Sequence, residues 1–182
     1  MKVGMIGLGQ IGEVMSRRLI SAGHQVHIYH DNITKADDQY EKGYISGYTT
    51  SVQSLVQVVR QKELYGKKSG ETVYVKAPGI FIMVVPTEIV EDTLDELLRL
   101  CCEGDIVINY GNSSVEDCWK REERCAKLGI AYLDCDINND TCDVGSGYNF
   151  MVRGGNTAIA TCKGIFHTLG RWEYTTKHSS VI

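Results

Sequence analysis

Residues 2–13 read Lys2-Val3-Gly4-Met5-Ile6-Gly7-Leu8-Gly9-Gln10-Ile11-Gly12-Glu13, an apolar stretch that breaks into spaced glycines. Residues 2–7 have the length and apolar character of a buried strand. Residues 10–22 carry Ile11, Val14, Met15, Leu19 and Ile20 on one helical face. Gly23 ends that helix, and Gln25-Val26-His27-Ile28-Tyr29-His30 follows as a second strand. A lone G-x-G-x-x-G is weak evidence. Here it follows a strand and opens a helix, and a second strand ends about 20 residues on, which is the context of a dinucleotide-binding turn. Gly7 allows the tight turn, Gly9 lets the backbone approach a pyrophosphate, and Gly12 lets helix and strand pack closely. The helix N-terminus adds N–H donors and the positive end of its dipole. Gly7, Leu8, Gly9, Gln10, Ile11 and Gly12 are therefore candidate cofactor-binding residues, with NAD or NADP as the cofactor. The competing reading is an ordinary glycine-rich turn.

The end of the second strand selects between the two cofactors. An acid there bonds the 2′-hydroxyl of NAD, whereas an arginine accepts the 2′-phosphate of NADP. This chain has His30-Asp31-Asn32 and no arginine nearby. Asp31 repels a 2′-phosphate, so NAD is favoured. A protonated His30 would act the other way, and His30 also reads as a solvent-exposed strand end.

The alternation continues along the chain. Helices are expected at 34–42, 51–63, 88–101, 114–128 and 156–169. Strands are expected at 80–85, 105–109, 130–134, 148–153 and 171–175. The polar stretch 62–76 reads as a surface loop or small hairpin. Ile80-Phe81-Ile82-Met83-Val84-Val85 is a continuous apolar run, as a central parallel strand requires. The expectation is an α/β fold: one Rossmann-type, doubly wound, mostly parallel sheet, in a single domain over residues 1–182.

Composition narrows the function classes. The net charge is −4 and no Lys/Arg-rich run occurs, which argues against a nucleic-acid surface. No apolar stretch approaches the roughly 20 residues of a membrane helix, and the N-terminus is not a signal peptide. The seven cysteines, Cys101, Cys102, Cys118, Cys125, Cys135, Cys142 and Cys162, include no C-x-x-C pair. They read as reduced, buried small hydrophobes of a cytoplasmic protein, with no metal site assigned.

Three blocks resemble the 6-phosphogluconate dehydrogenase family, within the wider 3-hydroxyacid dehydrogenase superfamily. They are the opening through Gly23, the segment Ile82-Met83-Val84-Val85-Pro86 with the helix after it, and Gly104-Asp105-Ile106-Val107-Ile108-Asn109-Tyr110-Gly111-Asn112-Ser113. The last block is similar to the family's G-D-x-I-I-D-G-G-N-S signature. The resemblance implies that Val84, Val85 and Pro86 line the cofactor, and that Asn112 lies between nicotinamide and substrate, binding both. Taken alone, Val84 and Val85 read as core, and Gly-Asn-Ser-Ser reads as a helix-capping turn. The implied chemistry is hydride transfer from a sugar acid, with decarboxylation, in the pentose phosphate pathway.

The chain also departs from that pattern. Tyr110 stands where the signature has glycine, which implies a more crowded cofactor site. Asp136-Ile137-Asn138-Asn139-Asp140 replaces the substrate-binding G-x-S-G-G, and Asp136 and Asp140 are expected to repel an anionic substrate. The family's catalytic lysine sits on a later helix that opens an all-helical, dimerising domain. The chain reaches Ile182 where that helix would begin, and Lys177-His178 falls too early to be the motif. No catalytic residue is assigned, and no dehydrogenase turnover is expected from these 182 residues alone. Three functions fit: the cofactor domain of such an enzyme, a non-catalytic nucleotide-binding or sensing protein, and a dehydrogenase of another 3-hydroxy acid.

Overall fold

The computed structural model describes residues 1–60, 64–68, 71–74, 77–111, 113–137 and 147–176, with backbone alone over 64–68 and 71–74. In chain order the elements begin β1 (Lys2–Ile6), α1 (Gln10–Ser21), β2 (Gln25–Tyr29), α2 (Ile33–Glu41), β3 (Gly47–Thr49) and α3 (Val52–Val59). A hairpin of β4 (Leu64–Lys68) and β5 (Glu71–Tyr74) follows. Then come β6 (Ile80–Met83), a 3-10 turn over Thr87–Ile89, α4 (Val90–Leu100), β7 (Ile106–Tyr110), α5 (Val115–Ala126) and β8 (Ala131–Ile137). The described chain closes with β9 (Tyr148–Gly154), α6 (Asn156–Leu169) and β10 (Gly170–Thr175).

Eight strands form one sheet in the order β3-β2-β1-β6-β7-β8-β9-β10. Pairing is parallel from β3 through to β8. β9 runs antiparallel to β8, and β10 parallel to β9. The chain steps outward from β1 to β3 and then returns to β6 on the other side of β1. That reversal is the switch point of a doubly wound sheet, where the carboxyl ends of strands leave a crevice. The expected fold class holds.

Side-chain alternation builds the two layers. Val3, Met5, Ile28, Ile82, Ile108 and Leu133 face one side, under Met15 and Leu19 of α1 and Ile165 and Phe166 of α6. Phe81, Met83, Val107 and Tyr132 face the other, under Leu55 of α3, Leu94 of α4 and Cys118 and Cys125 of α5. All four residues of β6 are buried, as a strand covered on both faces must be. No helix among the described residues is long and apolar enough to cross a membrane.

Several boundaries shift. The strand expected at 80–85 ends at Met83, and the helix expected at 88–101 starts as the 3-10 turn. β3 lies in a stretch that carried no strand signal. Cys118, Cys125, Cys135 and Cys162 are buried, as expected, but Cys102 is exposed. Cys102 lies in the turn between α4 and β7, where chain reversal leaves it outside the layers. Cys142 lies outside the described residues.

Candidate cofactor site

The turn after β1 sits at the switch point. The Gly7 amide donates to the Tyr29 carbonyl at 3.0 Å, and the Val84 amide to the Ile6 carbonyl at 2.8 Å, so the ends of β2 and β6 clamp it from both sides. Gly7 has φ +100°, and a Cβ built there would stand 2.1 Å from the Val84 carbonyl oxygen. At Gly12 a Cβ would stand 2.7 Å from the Gly7 carbonyl oxygen. These two glycines are fixed by the protein's own packing. Gly9 differs. It caps α1 with ordinary extended backbone (φ −71°, ψ −173°), and a Cβ there would meet no protein atom within 4 Å.

No side chain caps α1. Glu13 N–H is the first amide of the helix to bond back, to Gly9 O at 3.0 Å. The first-turn amides ahead of it belong to positions with no intrahelical partner. Open space at Gly9, unsatisfied donors and the helix dipole make a cradle that fits a pyrophosphate. Gln10 and Ile11 are exposed beside it, whereas the Leu8 side chain is fully buried in the core, leaving its backbone alone to face the cradle.

At the end of β2, Asp31 is exposed and accepts from the Tyr29 hydroxyl at 2.8 Å. Asn32 is the N-cap of α2: its Oδ1 accepts from the Lys35 amide at 3.0 Å, so that oxygen is engaged by the helix. Lys35 also pairs with Glu13 at 2.7 Å, tying α2 to α1 beside the turn. His30 is partly buried, and its pKa is lowered by burial first and by Lys35 second. It is therefore neutral at pH 7 and offers no cation to a 2′-phosphate.

Val84 and Val85 are half-buried and Pro86 is exposed, all leaving the end of β6 beside Gly7. Asn112 lies outside the described residues, as do Asn138, Asn139, Asp140, Lys177 and His178. The crowding expected from Tyr110 is not found. Alternation along β7 puts Tyr110 on the same face as Ile106 and Ile108, 2% exposed, with its ring edge-on to Phe150 at 5.6 Å. Nor is Asp136 a bare charge, because Arg153 Nη2 reaches its Oδ2 at 3.0 Å.

Sequence reasoning missed a buried polar network beside this site. Asn109 and Asp134 are both fully buried on adjacent central strands, and Asn109 Nδ2 donates to Asp134 Oδ1 at 2.9 Å. The Tyr132 hydroxyl donates to the same oxygen at 3.2 Å. Burial pushes the Asp134 carboxyl up despite these donors. Asn109 Nδ2 also reaches Ser113 Oγ at 3.2 Å. The available signal was a polar residue inside each of two runs expected to be buried, since such a residue needs a partner.

The family defined by the NAD binding domain of 6-phosphogluconate dehydrogenase matches residues 2–179. A 6-phosphogluconate dehydrogenase-like protein of Bacillus subtilis is 28% identical over 166 residues, covering 91% of this chain and 50% of that protein. The NAD(+)-dependent, decarboxylating 6-phosphogluconate dehydrogenase of Haloferax volcanii is 28% identical over 154 residues, covering 85% of this chain and 45% of the enzyme. The chain thus spans at most half the length of these relatives. Among solved structures, the 3-hydroxyisobutyrate dehydrogenase of Mycobacterium tuberculosis superposes with a TM-score of 0.73 at 18% identity, over 96% of this chain and 54% of that one. An imine reductase of Bacillus cereus gives 0.74 at 15% identity, over 96% and 54%. At these identities the structures share the fold.

Proposed function

We propose a function on one premise: this chain belongs to the family of the 6-phosphogluconate dehydrogenase NAD-binding domain. It serves as the cofactor domain of a 6-phosphogluconate dehydrogenase-like oxidoreductase. The observation that carries the reading is the open cradle at Gly9, at the uncapped N-terminus of α1 and beside the switch point. The backbone of residues 7–12 holds the pyrophosphate, Asp31 and its neighbours His30 and Asn32 border the adenosine ribose, and Val84, Val85, Pro86 and Asn112 border the nicotinamide half. When bound, the cofactor supplies a hydride acceptor for a substrate C–OH. These residues bind and orient it. The general base, the sugar-acid substrate's remaining contacts and a homodimer interface are assigned to a helical domain of the whole enzyme, and the reduced thiols suit the cytoplasm.

Asp31 makes NAD the preferred cofactor. Calorimetric titration of both cofactors is expected to give NAD the tighter binding by about fivefold, the equivalent of one screened charge contact of about 1 kcal/mol. Tighter NADP binding would refute the assignment of Asp31. His30 adds a pH dependence. Because its folded pKa is lowered, it gains a proton only below the usual histidine range. NADP binding should therefore improve relative to NAD as pH falls from 7.5 to 5.5. The 2′-phosphate loses charge near pH 6 and works against this, so the readout is the difference from His30→Asn, which should lack the improvement. Equal pH profiles in the two proteins would exclude His30 from the ribose end.

A second reading has one observation in its favour. Asn138-Asn139-Asp140 replaces the family's S-G-G, which favours a 3-hydroxy acid other than 6-phosphogluconate. A substrate screen of the whole enzyme separates the two.

A further inference from the structure

We propose that Arg121 is a positioning residue for the nicotinamide half of the cofactor, holding at a fixed separation the two loops that border it. The inference rests on the reading of those loops given above. Arg121 is on α5 and only 7% exposed, unusual for a charged side chain. Its Nε donates to Glu91 Oε1 at 2.6 Å, and its Nη1 donates to Ser113 Oγ at 2.6 Å. Glu91 is the second residue of α4, the helix that follows Val84-Val85-Pro86. Ser113 follows β7, next to Asn112, and its amide bonds back to the Gly111 carbonyl at 3.1 Å. One guanidinium therefore joins the loop after β6 to the loop after β7.

The partners are arranged so that the strut is rigid. Ser113 Oγ also accepts from Asn109 Nδ2, which is anchored on Asp134 in the sheet. Glu91 takes a second cation, Arg124 Nη2 at 2.9 Å, and Arg124 Nη1 reaches Asp95 at 3.2 Å. Burial opposes the Glu91 charge, but hydrogen bonds from the two arginines hold its carboxyl below the usual range. A lysine at 121 keeps the charge without the planar fork that reaches two acceptors at once. Arg124 keeps Glu91 ion-paired when Arg121 is changed, so the contact specifically lost is the one to Ser113.

The test compares Arg121→Lys and Ser113→Ala with the unchanged chain. The readouts are affinity for NAD and for ADP by calorimetry, and the thermal midpoint. ADP carries the adenine half, which meets the glycine turn and the end of β2 but neither loop. NAD affinity is expected to fall about tenfold in each variant, with ADP affinity unchanged within about twofold. The double variant should lose no more than either single, because both changes cut one strut. Equal losses for NAD and ADP would make Arg121 a general structural residue and overturn the proposal, as would unchanged NAD affinity in Ser113→Ala. If the unchanged chain binds NAD while the NAD-to-ADP ratio stays fixed in the variants, this proposal alone fails. If the unchanged chain binds neither ligand, the cofactor-domain reading fails with it.

Discussion

Gly9→Leu abolishes NAD binding and leaves the fold standing. The backbone at Gly9 is extended, a conformation open to any residue, and the space its Cβ would enter holds no protein atom within 4 Å. The folded chain therefore has no clash to relieve. The leucine side chain instead fills the volume through which a pyrophosphate approaches the first-turn amides of α1. The expected loss is on the order of 100-fold or more in affinity, with a thermal midpoint within about 2 °C of the unchanged chain. Gly7→Ala is the control with the opposite outcome. Its Cβ would lie 2.1 Å from the Val84 carbonyl at a backbone angle that side chains rarely adopt, so it destabilises the fold. Unaltered NAD affinity in Gly9→Leu would mean that this turn is not the binding site.

The second large effect falls on stability. Asn109→Asp replaces the amide that donates to Asp134 with a second carboxylate, at a contact now 2.9 Å long between two fully buried residues. Asp134 Oδ2 has only Arg153 Nη1 near it, at 3.7 Å, which is too far to compensate. The expected cost is about 3–5 kcal/mol, the range for an uncompensated buried charge. The pH dependence has a definite sign. Two adjacent buried carboxyls share a proton, so their folded pKa values lie above the unfolded ones. Their stability is present below the usual carboxyl range and is lost as pH rises. Chemical denaturation should show a larger deficit at pH 8 than at pH 5. A variant as stable as the parent at pH 8 would contradict the buried pairing. The same pairing accounts for asparagine at a position where the resembling signature carries aspartate, because Asp134 needs a donor there.

Much of this molecule was legible before folding. The run from Ile80 to Met83 announced a strand covered on both faces, and the glycine spacing located the turn between β1 and α1. What escaped has physical reasons. β3 spans three residues, too few for alternation to register. The Tyr110 ring follows from the parity of β7, since Ile106, Ile108 and Tyr110 share one face, yet reading it as a replaced glycine put it against the cofactor. Leu8 stands among turn residues, but its side chain completes the core. Arg121, Ser113 and Glu91 are separated by 8 and 30 residues and meet only because α4 and α5 cover neighbouring strands. No local pattern carries such a contact.

The central claim is that the backbone of residues 7–12 holds a dinucleotide. A titration of the isotopically labelled chain with NAD, followed at backbone amides by nuclear magnetic resonance, tests it residue by residue. The amides of Leu8, Gly9, Gln10, Ile11 and Gly12 should move most, with Asp31 and Val85 following and the far edge at β10 unmoved. Saturable shifts centred elsewhere, or none in residues 7–12 at millimolar NAD, would contradict the account.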